Sequence, residues 1–439
     1  MATSTIDELY QPELETLDRE GIQAIQLEKL QKQVAYVYDH VEWYRQKMDE
    51  MGVAPSDIVS LEDVRKLPFT DKSVLRDTFP YGLFAVPLDE VIELHASSGT
   101  TGKPIVVGYN THDMEVWSEC IARLAAMAGV VPSDRAQMAF GYGMFTGGFG
   151  LHYGLQKLGC MLIPAGSGNT ERHLQMIQDY GTTVLIATPS YALHMCEVGE
   201  QTGFDWASST LRVGLFGGEP CPPKMKEEIE RRMHITCTDN YGLTEVMGPG
   251  VAGECLSSRD MQHIAEDHFL WEVVDPETGE PVPEGCEGEL VLTPLDKQAI
   301  PVLRYRTHDL TYVTTEPCAC GRTHARMKKV RKRSDDMLII RGTNVFPSQV
   351  EDILSGIEGV TPFYRIEVDN ETGLDRMKIL VELEPSAFTD SYEEMNAFRK
   401  HIAQKLKETM LVASEVQLVE PGGIERSLGK TKHVIDRRS

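Results

Sequence analysis

The chain has 439 residues, 41% of them hydrophobic and 25% charged, and 67 acidic against 43 basic side chains give a formal net charge of −24. A surface of that sign repels phosphate backbones and disfavours general nucleic-acid binding, while a pocket with its own local field can still admit small anions. There is no apolar run long enough for a membrane span, the first thirty residues are polar and acidic rather than a secretory leader, and the nine cysteines read as reduced thiols, so a cytoplasmic protein of two or three domains is expected.

In chain order, apolar and aromatic residues recur at helical spacing over residues 25–51 and predict one long amphipathic helix. The strand-like run VIELHA follows and stops at a loop of Ser97, Ser98, Gly99, Thr100, Thr101, Gly102 and Lys103. Beyond it, the short apolar runs CMLIPAG, TTVLIATPS and LRVGLFGGEP alternate with helical segments such as MKEEIERRM, which predicts α/β architecture with largely parallel sheets. Residues 268–313 turn β-rich through FLWEVVD, GELVLT and VLRYRT. After the charged stretch KKVRKRSDD and LIIRGTNVFPSQVEDIL, the tail reads strand, strand, helix, strand, a separate α+β module by size. The boundary is placed between residues 1–333 and 334–439.

Three segments carry chemistry. In the loop at 97–103, dense hydroxyls and glycines let backbone N–H and side-chain O–H groups wrap phosphate oxygens, and Lys103 adds a positive charge. It lacks the Walker A spacing. Residues 140–149 (FGYGMFTGGF) mix aromatics with glycines, which suits either a flat apolar pocket or a turn packed into the core. Cys318 and Cys320 form a Cys-x-Cys pair before a glycine, compatible with one metal ion or with two free thiols.

The loop SSGTTGKP resembles the phosphate loop of the adenylate-forming superfamily of acyl-CoA synthetases, adenylation domains and luciferases. NYGLTE at 240–245 and YRTHDL at 305–310 resemble its second and third signatures. Residues 333–351 are similar to its hinge, and Gly429-Lys430 to its C-terminal lysine motif. Within it, LPFTDKSVLRDTFPYGLFAVP, GYGMFTGGFG and RGTNVFPSQVE are most similar to the phenylacetate–CoA ligases.

That resemblance implies an acetyl-CoA synthetase-like fold: a large N-terminal α/β domain with a β-rich subdomain, and a small mobile C-terminal α+β lid. It implies an AMP-forming ligase that turns an aryl carboxylate, phenylacetate or a close analogue, into its CoA thioester through an acyl-adenylate. ATP, Mg²⁺ and coenzyme A would be used, and a homodimer is expected. Ser97 to Lys103 would hold the β- and γ-phosphates, Thr244 the α-phosphate and Glu245 the Mg²⁺. Gly218, Glu219, Pro220, Asn240, Tyr241 and Gly242 would line the adenine, with the Tyr241 ring stacking on it, and Asp309 would accept from the ribose hydroxyls beside Arg333. Lys430 would bridge the carboxylate and α-phosphate, Lys432 being a solvated neighbour; Asp335 would be the pivot and Gly342 would line the CoA tunnel. Tyr142, Gly143, Phe145, Phe216 and Gly217 would bound the acyl pocket.

His308 stands where the wider superfamily often has glycine, and is expected to be a tolerated side chain rather than a hydrogen-bonding one. The resemblance further implies a structural Zn²⁺ on Cys255, His263, Cys318 and Cys320, with His324 and His268 as alternative fourth ligands. Two other readings differ in function: a ligase of the same fold that loads a carrier protein, and a non-catalytic nucleotide-binding protein. Retention of Glu245, Asp309 and Lys430 together speaks against the second.

Overall fold

The computed structural model describes residues 9–96, 104–330, 332–334, 338–340, 343–370, 375–389, 391–410, 412–426 and 433–438. The apolar runs read from the sequence become the strands Arg135–Met138, Met161–Ile163, Val184–Ala187 and Val213–Phe216, which join the start of Thr236–Leu243 as parallel neighbours. Their helical crossovers are Thr146–Leu158, Thr170–Tyr180, Pro189–Thr202 and Pro223–Met233. Every residue of Val184–Ala187 and Val213–Phe216 is buried, as a sheet covered on both faces requires. Beyond Thr236–Leu243 the same sheet continues antiparallel through Gly248–Cys255, Ser258–Ile264, Arg326–Lys328 and Val313–Thr314.

The β-rich stretch therefore divides. Phe269–Val274, Gly288–Pro294, Tyr305–Thr311 and the two-residue strand Lys332–Arg333 form a separate four-stranded antiparallel sheet. The long N-terminal helix also divides, into Arg19–His40 and Glu42–Met51, because Val41 is buried in an extended conformation (φ −116°, ψ 104°). The second helix places the Tyr44 hydroxyl against Thr70 at 2.5 Å, where it accepts from the Leu303 N–H at 2.9 Å. These are tertiary contacts that helical periodicity cannot register.

Residues 140–149 enter a helix at Thr146, capped at its far end by Gly159 with φ +102°. A Cβ at Gly150 would come within 2.2 Å of the Trp117 ring, and one at Gly154 within 2.1 Å of Ile121, so the glycines let this helix lie close against Thr111–Met127. Gly154→Val is expected to cost about 3 kcal/mol by forcing the two helices apart, measurable as a lowered midpoint in denaturant unfolding.

The C-terminal module pairs Val360–Asp369 with Arg376–Leu383 antiparallel, adds Glu415–Val419 parallel to the second, and returns Val434–Asp436 parallel to the first. Its own core joins Val350, Leu354, Ile402 and Leu406 of two helices to Ile366, Val368, Ile379 and Val381 of the sheet. The final three-residue strand is too short for a sequence pattern to reveal. No helix among the described residues is long and apolar enough to cross a membrane.

Candidate active site

The carboxyl ends of adjacent parallel strands are where an open α/β sheet offers backbone groups to a ligand. Here they deliver the expected residues. Gly217, Gly218, Glu219 and Pro220 follow Val213–Phe216, and Tyr142 and Gly143 follow Arg135–Met138. Asn240, Tyr241 and Gly242 lie in the last half of Thr236–Leu243, with Thr244 and Glu245 in the turn after it.

Local packing explains several of these residue types. The Asn240 side chain donates to the Phe216 carbonyl, and a Cβ at Gly217 would meet Asn240 at 2.7 Å. Gly218 has φ +82°, which a glycine adopts without strain. Glu219 accepts the Ser190 N–H at 2.8 Å at the start of helix Pro189–Thr202, fixing its carboxylate beside the strand ends. Thr244 lies 3.2 Å, hydroxyl to hydroxyl, from Thr146. Glu245 is buried, and among the described residues its carboxylate meets no hydrogen-bond donor.

Asp309 is the meeting point of three sequence segments. Its Oδ2 accepts the Tyr241 hydroxyl at 2.5 Å and its Oδ1 accepts Arg333 Nη1 at 2.7 Å, while strand pairing sets Asp309 opposite Arg333. Burial first, then the adjacent Asp309 charge, hold the Tyr241 phenol well above its ordinary range, so it stays a donor. An ionised carboxylate is an acceptor-only group, the type that suits ligand hydroxyls.

His308 differs from its expectation. Its φ is +62°, a left-handed conformation that glycine adopts most readily, yet the side chain is used: Nδ1 lies 3.1 Å from the Ser334 hydroxyl, and the His308 carbonyl accepts the Ser334 N–H at 2.7 Å. It ties the third signature to the hinge. Just upstream, Lys329 pairs with Glu254 at 2.5 Å, and Lys226 reaches the same carboxylate at 2.7 Å, anchoring the chain before Lys332 to the central sheet. Burial pushes the neighbouring Asp239 carboxyl up to about 7.

After Arg135–Met138, Tyr142 is half-buried, edge-on to Phe149 at 5.2 Å between centroids, with its hydroxyl 3.0 Å from His152 Nδ1. Burial raises the Tyr142 phenol to about 12 and lowers His152, which keeps the pair neutral. Gly143 has open space where a Cβ would stand, and Phe145 is 55% exposed at the N-cap of its helix. Phe216 is fully enclosed in the core beneath the strand ends, so it backs a pocket wall rather than facing a ligand.

Sequence reasoning missed a polar chain behind this region. Tyr153 donates to Glu93 at 2.7 Å, Glu93 meets His95 Nε2 at 2.6 Å, and His95 Nδ1 lies 3.2 Å from the Met144 carbonyl. The signal was present: Glu93 and His95 alternate on one face of the strand that ends at Ala96. That loop (Ser97, Ser98, Gly99, Thr100, Thr101, Gly102, Lys103), with Asp335, Gly342, Lys430 and Lys432, lies outside the described residues.

Cys255, His263, Cys318 and Cys320 bring their ligand atoms within 4.8 Å of one another. Cys255 and Cys318 sulfurs are 3.7 Å apart, and Cys320 Sγ is 3.4 Å from His263 Nε2. Those are the edges of a tetrahedron with metal–ligand bonds of roughly 2.0–2.3 Å. His263 Nδ1 lies 3.2 Å from the His324 carbonyl, which leaves Nε2 as the ligand atom. The two alternative fourth ligands are engaged elsewhere. The nitrogens of His324 face the Ile264 and Leu14 carbonyls, and His268 sits beside Glu119 and Asp267. The three Cys and one His fit zinc.

Residues 20–293 match the AMP-binding enzyme family and residues 342–438 the AMP-binding enzyme C-terminal domain. A phenylacetate-coenzyme A ligase of Thermus thermophilus is 46% identical over 98% of this chain and 100% of its own length. One of Escherichia coli is 45% identical over 97% of each chain. Among solved structures, 2-hydroxyisobutyryl-CoA ligase in a postadenylation state gives a TM-score of 0.91 at 27% identity, covering 99% of this chain and 94% of that one. The same enzyme in its thioesterification state gives 0.73 at 29% identity, over 97% and 92%. With its three signatures in family order, its strand-end site and near full-length identity to curated members, the chain belongs to the phenylacetate–CoA ligase family of AMP-binding enzymes.

Proposed function

We propose that this chain is an ATP-dependent ligase that converts phenylacetate or a closely related aryl acid into its CoA thioester. A carboxylate cannot expel oxide, so its oxygen first attacks the α-phosphorus of ATP, the bond to the β-phosphate oxygen breaks, and pyrophosphate leaves. The CoA thiol then attacks the acyl carbon, loses its proton, and AMP departs. Both steps are governed by positioning and charge neutralisation.

One observation carries this reading: Asp309, held between Tyr241 and Arg333, brings the second signature, the third signature and the hinge to one carboxylate at the strand ends. Asp309 would accept from the ribose hydroxyls, and Gly218, Glu219, Pro220, Asn240 and Gly242 would line the adenine. Tyr241 would flank the adenine while its hydroxyl holds Asp309. Ser97 to Lys103 would grip the β- and γ-phosphates and Thr244 the α-phosphate. The buried Glu245 carboxylate fits a hard cation; when bound, Mg²⁺ would offset phosphate charge. Tyr142, Gly143, Phe145 and Gly217, backed by Phe216, would hold the aryl ring, and Gly342 the pantetheine arm.

The same reading takes 1–333 as the adenylating domain and 334–439 as a lid pivoting at Asp335. It includes a structural zinc on Cys255, His263, Cys318 and Cys320, a homodimer, and residence in the cytoplasm. The test is a panel of acids in a CoA-dependent AMP-release assay. Phenylacetate and near analogues are expected to exceed acetate and palmitate by about a hundredfold or more in kcat/KM, since a fitted aryl ring accounts for several kcal/mol. Equal turnover of palmitate and phenylacetate would sink the pocket assignment. Asp309→Ala is expected to raise the KM for ATP by about tenfold or more, because two hydroxyl bonds to a charged acceptor are lost; an unchanged KM removes Asp309 from the ribose site.

A further inference from the structure

Arg426 lies in the C-terminal module, four residues before Lys430. Its guanidinium stacks over the Phe363 ring at 3.4 Å from the centroid, and its Nη1 and Nη2 donate to Glu382 at 2.8 and 2.7 Å. Glu382 is 1% exposed and also accepts the Ile424 N–H at 3.1 Å. These partners belong to the same module, so they accompany Arg426 wherever that module turns.

Its other edge crosses to the N-terminal part. Nη2 and Nε donate to the Glu197 carboxylate at 3.1 and 3.4 Å. Glu197 sits on helix Pro189–Thr202, whose first turn is held by Glu219, a residue of the adenine region. Phe363 and Ile424 join the hydrophobic cluster that contains Tyr191 and Met195 of this helix, and Lys224 donates to the Ser355 carbonyl nearby.

The segment carrying Lys430 is thus tied at both ends. Arg426 precedes it and His433 follows it, the latter stacked on Tyr364 (4.4 Å between ring centroids, 17°). Four extended residues reach at most about 14 Å, so the Glu197 contact limits where Lys430 can go. Whole-chain likeness is greater to the postadenylation arrangement of the related ligase than to its thioesterification arrangement.

We propose that Glu197 and Arg426 form a latch between the two parts that positions the Lys430 segment for adenylate formation and must open for the thioester step. Glu197 is a positioning residue, acting through Arg426 on the segment that bears the reacting lysine. Glu382 and Phe363 hold the guanidinium ready, so that closing the latch orders few further rotamers. The proposal rests on the two-step ligase reading above.

The test uses full-length wild type, Glu197→Gln and Glu197→Arg, neither of which touches the C-terminal core. Two half-reactions are compared: phenylacetate-dependent exchange of pyrophosphate into ATP, and phenylacetyl-CoA formation from synthetic phenylacetyl-adenylate. Glu197→Gln is expected to slow exchange about three- to tenfold and Glu197→Arg further, with the thioester step unchanged or faster. Equal loss in both half-reactions, or unchanged exchange in Glu197→Arg, overturns the latch. Paired spin labels on helix Pro189–Thr202 and helix Tyr392–Met410 read it without substrate. The short-distance population is expected to shrink in Glu197→Arg, and an unchanged distribution overturns the latch whatever acid the enzyme takes. Absence of exchange by wild type with any aryl acid would instead overturn the functional reading, leaving the spin-label result to judge the latch.

Discussion

Lys430→Ala is expected to lower adenylate formation by about a thousandfold while leaving thioester formation from preformed phenylacetyl-adenylate within about twofold of wild type. The asymmetry follows from where charge develops. In the first step a carboxylate oxygen closes on an α-phosphate, and two anionic groups approach without a proton to neutralise them. A lysine ammonium on a flexible stem can bridge both as the bond forms, and the arginine fork is less suited to a single point of charge. In the second step the acyl–phosphate bond is already made, and a neutral thiol attacks a carbonyl on the other side. Arg426 and His433, each held by neighbouring side chains, bracket the short span that bears Lys430. Rapid-quench measurement of each half-reaction separates the two effects. If both half-reactions survive the substitution, the lysine has no such role; if Lys432→Ala instead abolishes adenylation, the assignment moves two residues along.

The second large effect is expected at the sulfur cluster. Protein purified without added metal is expected to carry about one zinc per chain, and Cys320→Ser to lose it with a fall of about 5 °C or more in thermal midpoint. The four candidate ligands come from three separate segments. Cys255 ends the strand Gly248–Cys255, His263 lies in Ser258–Ile264, and Cys318 and Cys320 sit in the turn after Val313–Thr314. Contact with the Cys255 sulfur first, then with His263, draws the Cys320 thiol far below its usual range, as suits a thiolate ligand. The turn is secured on its other side as well: Arg322 pairs with Glu15 at 2.5 Å, and Thr323 N–H donates to the Glu15 carbonyl at 3.0 Å. The metal would thus fasten the turn at Cys318 and Cys320 to the antiparallel half of the large sheet, and the same turn holds the N-terminal segment through Arg322 and Thr323. Activity per folded molecule is expected to change little. Metal content well below one per chain, or a Cys320→Ser protein of unaltered midpoint, speaks for free thiols.

Legibility in the sequence divided along a physical line. Signals confined to a few consecutive residues could be read: the buried strands Val184–Ala187 and Val213–Phe216, and the strand–strand–helix–strand tail. The order of the signatures also predicted that Tyr241, Asp309 and Arg333 serve one site, and their side chains do meet. Features set by distant partners could not be read. The placement of Tyr44 beyond the break at Val41 depends on Thr70 and Leu303, the use of His308 depends on Ser334, and the enclosure of Phe216 depends on the helices packed over it. Two glycines assigned no role, Gly150 and Gly154, turned out to be required by Trp117 and Ile121 on another helix.

The amino-acid sequence by itself determined the superfamily chemistry, because adenylate formation demands particular residue types at backbone positions that short motifs encode. Tertiary structure decided which of three histidines can complete the Cys₃His set, which glycines serve packing, and that Arg426 reaches across to Glu197. Those outcomes are distances between residues tens to hundreds of positions apart, and only the folded chain, closing its loops against a common core, gives such distances a value.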